Sequence, residues 1–418
     1  MKSDDPLEGW LVGERREEDW LYREHSSEIS MRLDELEGLL DNPPPPPRKL
    51  DFYKSGIAAY PYMPPIPLSP DDVPRAQGLY RRLAASKGSG KNSTQEGLLH
   101  LIGGTADPSA LPFWLDMLEL APPRDQFGTK RKTYAMAAIA FVAIKHNLPV
   151  VYDTLLSLTR HTDPAVRAQA MLYLGAAYLK AERPIPDPVQ AHIYDVATAD
   201  PNFLPRYEAR RVLRDADLAV PLDNPDGIYV FKVSPVWLKG VHRKIEVRSY
   251  HTMEDLHLAI QWAFKWNDDH LYSFYMNGVV HDARYEIPHP ALVERDGEFP
   301  FFVLPIELAG DPEEADDRVK EILTGFGVSL GRVEDEGVSE NVEGKDKGPL
   351  TVINTVIGEL GLVPGHSFLY LFDFGEDHVF LVTVDGVKEK AGRGTYPRVV
   401  ERQGESPPQY WYEEDEEP

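Results

Sequence analysis

Cysteine is absent from all 418 residues. Its absence excludes disulfides, a thiolate nucleophile and Cys-ligated zinc. Long apolar runs are also missing: none approaches the ~18 residues that a membrane span requires. The acidic start Met1-Lys2-Ser3-Asp4-Asp5 lacks the apolar stretch of a secretion signal. A soluble, cytoplasmic protein is expected. Cations are scarce beside anions, with 44 Lys+Arg against 68 Asp+Glu and a net charge of −24. Such a balance argues against nucleic acid as a bulk electrostatic ligand, because that mode needs basic surface to displace counterions. The deficit is uneven. Residues 307–346 hold 13 acids and 4 bases, and 411–418 add five acids, which leaves the remainder mildly acidic and able to carry a local basic patch.

Length sets a prior of two to three domains at roughly 150 residues each. Hydrophobic residues make up 42% of the chain, enough for buried cores. Residues 1–92 read as a helical and proline-rich strap and linker. Ile29, Met31, Leu33, Leu36, Leu39 and Leu40 recur near helical spacing, then Pro43 to Pro47 form a stiff rod. Further prolines between Pro61 and Pro70 precede a short helix over Val73 to Ala85, and Ser86-Lys87-Gly88-Ser89-Gly90-Lys91 reads as a flexible basic linker. The proline segments are better read as a strap over the next domain than as bait for an aromatic groove.

Residues 93–220 show helix pairs. Helical spacing covers Leu111 to Leu120, Tyr134 to Ile144, Val150 to Leu158, Val166 to Leu179, Val189 to Ala197 and Leu204 to Leu213. Asp-Pro pairs at 107, 163, 187 and 200 predict turns in which Asp caps the coming helix and Pro fits its first turn. Asp163-Pro164-Ala165-Val166-Arg167-Ala168-Gln169-Ala170 resembles the second helix of a HEAT-type repeat, and Asp107 to Pro112 resembles an entry turn. An α-solenoid is expected here, which favours a surface for another macromolecule over a pocket for chemistry.

At Ile228 the period changes to two. Ile228 to Val233 and Lys244 to Arg248 predict paired strands, followed by a helix over Met253 to Phe264 and a strand over Leu271 to Met276. This β-β-α-β order opens an α+β domain over 221–410, interrupted by the acidic insertion 307–346 and followed by the acidic tail 411–418. Thr351 to Leu360 reads as helical. Phe368 to Phe374 and Val379 to Val384 read as a strand pair across Gly375-Glu376-Asp377, and the residues after it read as turn-rich. The whole is therefore expected to be multidomain, α and α+β.

Three stretches of this domain carry a resemblance. The first runs from Val241-His242-Arg243-Lys244-Ile245-Glu246-Val247 through Thr252 to Gln261, Phe264-Lys265-Trp266 and His270 to Phe274. The second is Tyr370-Leu371-Phe372-Asp373-Phe374-Gly375-Glu376-Asp377, and the third extends from Tyr396-Pro397 through Gly404 to Pro407-Pro408. In that order, over about 190 residues, they resemble the plasmid-borne family named for the third open reading frame of a root-inducing plasmid, often labelled a transposon-passenger "TnpR-like" protein. The resemblance implies a compact α+β domain with no established reaction, and the label does not imply recombinase activity. The family follows its acidic motif with Trp and then His. Here His378-Val379-Phe380 follow Asp377, so any role of that downstream His would be lost at Phe380.

Several motifs invite chemistry. Ser86 to Ser93 lacks the first Gly of a phosphate-binding loop, has Asn92 after Lys91, and follows a helix instead of a strand. Gly327-Val328-Ser329-Leu330-Gly331 matches a nucleophile elbow, but a helix over Glu313 to Leu323 is predicted where the motif needs a strand. Carboxylates and imidazoles gather near the family-like block: Asp255, His257, Asp373 and Asp377, with His251, Asp268, Asp269, His270 and Glu376 nearby. Convergence of the first four would hold a divalent metal. The plainer reading has Asp255 serving a helix N-terminus, Asp373 to Asp377 shaping a turn and His257 satisfied in the core.

Arg206, Arg210 and Arg214 fall at i, i+4 and i+8 with Arg211 beside them, so three guanidinium groups share one helical face. They are either an exposed contact for a protein partner or partners of Glu208, Asp215, Asp217 and the acidic insertion. The preferred function is a non-catalytic protein-binding or scaffold protein with no cofactor, contacting its partner through Arg206, Arg210, Arg211 and Arg214. The alternative is a metal-dependent hydrolase or nuclease of a mobile-element or defence system.

Overall fold

A computed structural model describes residues 19–42, 68–86, 91–119, 126–293 and 350–410. The proline rod, most of the second proline segment, the linker glycines, the acidic insertion with its predicted helix and elbow motif, and the acidic tail lie outside the described residues.

Nine helices occupy the N-terminal described part: α1 (Asp19–Asp41), α2 (Val73–Ala85), α3 (Lys91–Gly104), α4 (Leu111–Glu119), α5 (Gln126–His146), α6 (Pro149–Leu158), α7 (Pro164–Lys180), α8 (Asp187–Ala199) and α9 (Phe203–Asp215). Each packs mainly on its near neighbours in sequence: α1 on α2, α2 on α3, α3 and α4 on α5, α5 and α6 on α7, and α7 and α8 on α9. The strap helix α1 buries Leu33 and Leu36 against α2, where Arg75 pairs with Glu37 at 2.8 Å. Helix α3, not distinguished by the sequence pattern, starts inside the expected linker. Lys91 Nζ there donates to the carbonyls of Ala84 and Ser86 at the end of α2.

Asp163 caps α7 as expected, its carboxylate accepting from the Ala165 amide at 2.9 Å with Pro164 in the first turn. Asp107 does the same for a 3-10 turn over Pro108–Ala110. The other two Asp-Pro pairs behave differently. Pro186 takes the cap position of α8 and Asp187 is already helical, while Asp200 closes α8 and turns its carboxylate toward Arg167 and the Asn202 amide.

The C-terminal part is a seven-stranded sheet in the order β4-β3-β5-β6-β1-β2-β7, with every neighbouring pair antiparallel. Its strands are β1 (Ile228–Pro235), β2 (His242–Arg248), β3 (Tyr272–Tyr275), β4 (Glu286–Pro288), β5 (Ser367–Phe372), β6 (His378–Lys388) and β7 (Arg398–Gln403). Helix α10 (Met253–Phe264) lies against β2 and β7. Its apolar side, Leu256, Ile260, Ala263 and Phe264, meets Phe231, Val233, Ile245, Phe368, Phe372 and Phe380 in one core. The predicted β-β-α-β opening is present.

Two expectations for the sheet region fail. Thr351 to Leu360 is not a helix: it is a turn and a single 3-10 turn, Ile357–Glu359. Its backbone is committed elsewhere. The Val352 amide donates to Pro288, Ile357 to His251 and Gly358 to Ser249, while the Thr355 carbonyl accepts from Met253. The β-branched run Thr351-Val352-Ile353 and Thr355-Val356-Ile357 has weak helical preference to set against those bonds. β7 is the second failure, because a bulge between Lys244 and Ile245 of its partner strand and its exposed edge position erase the two-residue pattern.

A second core fills the helices, reaching from Leu33 to Leu213. α9 serves both: Ala209, Val212 and Leu213 face the helical core, whereas Phe203 and Tyr207 enter the sheet core. No helix is long and apolar enough to cross a membrane among the described residues.

Candidate functional site

The imidazole of His257 projects from α10 into the sheet core and is fully buried, stacked on Tyr272 at 3.5 Å between ring centres with a 2° interplanar angle. Nδ1 lies 2.7 Å from the Tyr370 hydroxyl and Nε2 lies 2.9 Å from Asp268 Oδ1. Gln261, one turn along the helix, donates to the same hydroxyl at 2.7 Å. Since Tyr370 accepts from Gln261, its single proton goes to Nδ1, and the neutral ring then carries its proton on Nε2, toward Asp268. Burial holds the His257 pKa down at about 4 despite the opposing pull of Asp268. The same burial pushes the Tyr370 phenol well above its ordinary value. Tyr272 extends the network by donating to Glu254.

The four proposed ligands do not form one donor set. Asp255 belongs to a capping box: its carboxylate accepts from the Thr252 amide at 2.8 Å, and the Thr252 hydroxyl accepts from the Asp255 amide. Asp373 shapes the β5–β6 turn. It adopts φ +60°, its Oδ1 accepts from Gly375 at 2.9 Å, and its Oδ2 stands 3.6 Å from His270 Nε2. Asp377, at φ +53°, donates its amide to the Asp373 carbonyl. Of the neighbours named with them, Asp268 reaches His257, and Asp269 accepts from Gln409 and Tyr410. Among the described residues no group of three or more His, Asp or Glu is placed to hold a metal ion.

The arginine row is not an exposed surface. Arg210 keeps 3% of its area in water. Its Nη2 meets Asp223 Oδ1 at 2.8 Å, its Nε donates to the Ala197 carbonyl, and its Nη1 donates to the carbonyls of Pro221 and Gly358. Arg206 takes the other Asp223 oxygen at 2.6 Å. Arg214 reaches Glu359 at 3.1 Å, and Arg211 reaches Glu208 at 3.3 Å and the Arg284 carbonyl at 2.9 Å. The expected partner Glu208 is therefore present, Asp215 acts on Arg211 and Arg214 through its charge, and Asp223 and Glu359 add bonds to the row. Gly361, at φ +75°, lets the chain pass over this row, since a Cβ there would stand 2.9 Å from Arg210 Nε. Burial lowers the Arg210 pKa while Asp223 opposes it. The row is thus the joint between α9 and the sheet region, reinforced by Phe203 stacking on His366 at 3.7 Å.

Sequence reasoning missed Tyr370, Gln261 and Tyr272. The available signal was His257 and Gln261 four residues apart on an otherwise apolar helix face, which requires a polar group opposite them.

Other side chains face outward. On α10, Trp262 is 64% exposed and Leu258, one turn earlier, is also exposed. The Arg402 guanidinium lies 5.0 Å from the Trp262 ring centre, and Val400 on the same edge strand is exposed.

Residues 236–410 match the family described as plasmid pRiA4b ORF-3-like protein. No curated protein matches the chain. A crystal structure of a protein of unknown function from Methanosarcina mazei Go1 is similar at 18% identity, covering 42% of this chain and 69% of that chain, with a TM-score of 0.25.

Proposed function

We propose that this protein is a non-catalytic protein-binding scaffold. The observation that carries this reading is the outward face of α10, where Trp262 and Leu258 stand in water beside Arg402 and Val400. Adjoining exposed apolar side chains with an aromatic and an arginine among them have the composition from which protein contacts draw most of their energy. By contrast, His257 and the carboxylates of Asp255 and Asp373 are occupied by core, capping and turn bonds, and the exposed Asp377 stands apart from them. The four arginines offered as the contact surface are occupied in the joint, so the binding face moves to α10 and β7.

The helical part is read as a HEAT-like platform. Lys132 on α5 grips Asp163 of the next turn at 3.2 Å, and Arg167 on α7 grips Asp200 of the following turn with two bonds of 2.8 and 3.0 Å. Basic residues 35 positions apart thus hold two Asp-Pro turns 37 positions apart. That ladder supports repeating units stacked in one direction. The sheet region over 221–410 is read as the second unit, with α9 shared between them.

A photo-crosslinking amino acid at position 258, compared with one at the exposed position 195 of α8, tests the surface. In native lysate, position 258 is expected to give a discrete protein adduct that Trp262→Ala abolishes. Adducts no stronger at 258 than at 195 would contradict the reading.

A further inference from the structure

The β1–β2 loop carries three consecutive exposed apolar residues, Val236, Trp237 and Leu238. The Val236 amide donates to the Val379 carbonyl and pins this loop beside the start of β6. Trp237 lies 6.4 Å from Trp266 with a 21° interplanar angle and 5.5 Å from the imidazole of His378, and it keeps 40% of its area in water. Trp266 is fixed by its indole N–H donating to the Pro407 carbonyl at 2.9 Å. His378 is 6% exposed, and its Nε2 has no hydrogen-bond partner among the described residues.

A buried imidazole nitrogen left unbonded beside a half-open indole marks an unfilled polar position. The segments around it are acidic. Asp373, Glu376 and Asp377 belong to the adjoining turn, which also exposes Phe374, and Asp269 lies on the loop after Trp266. Lys239 and Lys265 are the cations on these segments, with His270 3.6 Å from Asp373.

We propose that the mouth formed by Trp237, Trp266, His378 and the 373–377 turn receives the cationic side chain of a basic segment on a partner protein. An indole face attracts a guanidinium or ammonium through its quadrupole, most strongly where carboxylates surround it. The planar guanidinium of arginine stacks on the open part of Trp237, behind which His378 lies closed to water, while Glu376 and Asp377 neutralise its charge. The inference deepens the protein-binding reading and rests on it, adding a partner chemistry and a second contact point.

The test uses the full chain and two fluorescein-labelled peptides of Gly-Ser repeats, one carrying arginines and one carrying glutamates, followed by fluorescence anisotropy at low salt. The arginine peptide is expected to bind, and Trp237→Ala to weaken it by at least about tenfold, as loss of a desolvated cation–aromatic contact requires. Glu376→Gln/Asp377→Asn, two exposed positions whose replacements keep the turn chemistry, are expected to weaken it at least about threefold. The glutamate peptide is expected not to bind. Binding unchanged in both variants, binding absent up to millimolar peptide, or a Trp237-dependent self-association in sedimentation would each overturn the proposal. If the position-258 adduct persists while any of these is seen, this mouth is wrong and the scaffold reading stands. Loss of that adduct with Trp237-dependent peptide binding intact removes the α10 face alone.

Discussion

His257 and His366 show how burial sets a charge state that folding then depends on. Both have pKa values held down at about 4, His257 between Tyr370 and Asp268 and His366 donating to the Met276 carbonyl while stacked on Phe203. In the unfolded chain a histidine titrates near ~6.5, so between about 6.5 and 4 the unfolded state binds more protons than the folded one. Stability from these groups is complete above the unfolded value and is lost as pH falls toward the folded one. Urea unfolding at pH 7 and pH 5 is expected to show a loss on the order of 2 kcal/mol for each histidine. His257→Gln is expected to be less stable at pH 7 yet to show a shallower fall with acid; an unchanged slope would contradict the burial account. Some of this was legible in advance. Asp255 as a helix-start residue and Asp373 as a turn residue follow from local spacing, and both are found. The bond from His257 to Tyr370 spans 113 positions, and no local pattern encodes the partner of a buried imidazole.

At the scale of elements, α7 and α9 approach closely at Gly175. A Cβ added to Gly175 would stand 2.4 Å from Cγ2 of Val212. In an isolated helix Gly→Ala is favourable by up to ~1 kcal/mol. Here overpacking reverses the sign, and Gly175→Ala is expected to cost about 1–3 kcal/mol in chemical denaturation. Val212→Ala in the same chain is expected to recover part of that loss, so the two changes together cost less than their sum. Strict additivity would show that the helices do not meet at this point. Helices α7 to α10 and strands β1, β2, β5 and β6 could be read from period and flanking residues because each has one clearly apolar face. The 351–360 stretch could not, since its apolar spacing suits a helix while its amides bond to β4 and to the turn before α10. β7 was hidden for a related reason: an edge strand with a bulge shows no alternation to read.

For the whole molecule, a net charge of −24 coexists with a row of arginines turned inward, Arg210 buried and Arg206, Arg211 and Arg214 half-buried. The sequence gives their common helical face but not its direction, because that depends on Asp223 and Glu359, and Glu359 sits 145 positions from Arg214. Removing Arg210 takes one of two guanidinium partners from Asp223, which keeps Arg206, and leaves the carbonyls of Ala197, Pro221 and Gly358 without their buried donor. With Arg210 the loss reaches two regions at once, since its guanidinium holds the 221–223 link and the Gly358 carbonyl together. The most direct measurement is hydrogen exchange on the full chain, comparing wild type with Arg210→Ala in peptides spanning residues 203–215 and 355–362. A joint at this row predicts that both peptides lose protection together while those from α5 and β5 keep theirs. Unchanged exchange in the 355–362 peptide would contradict the central claim that these arginines bind the helices to the sheet.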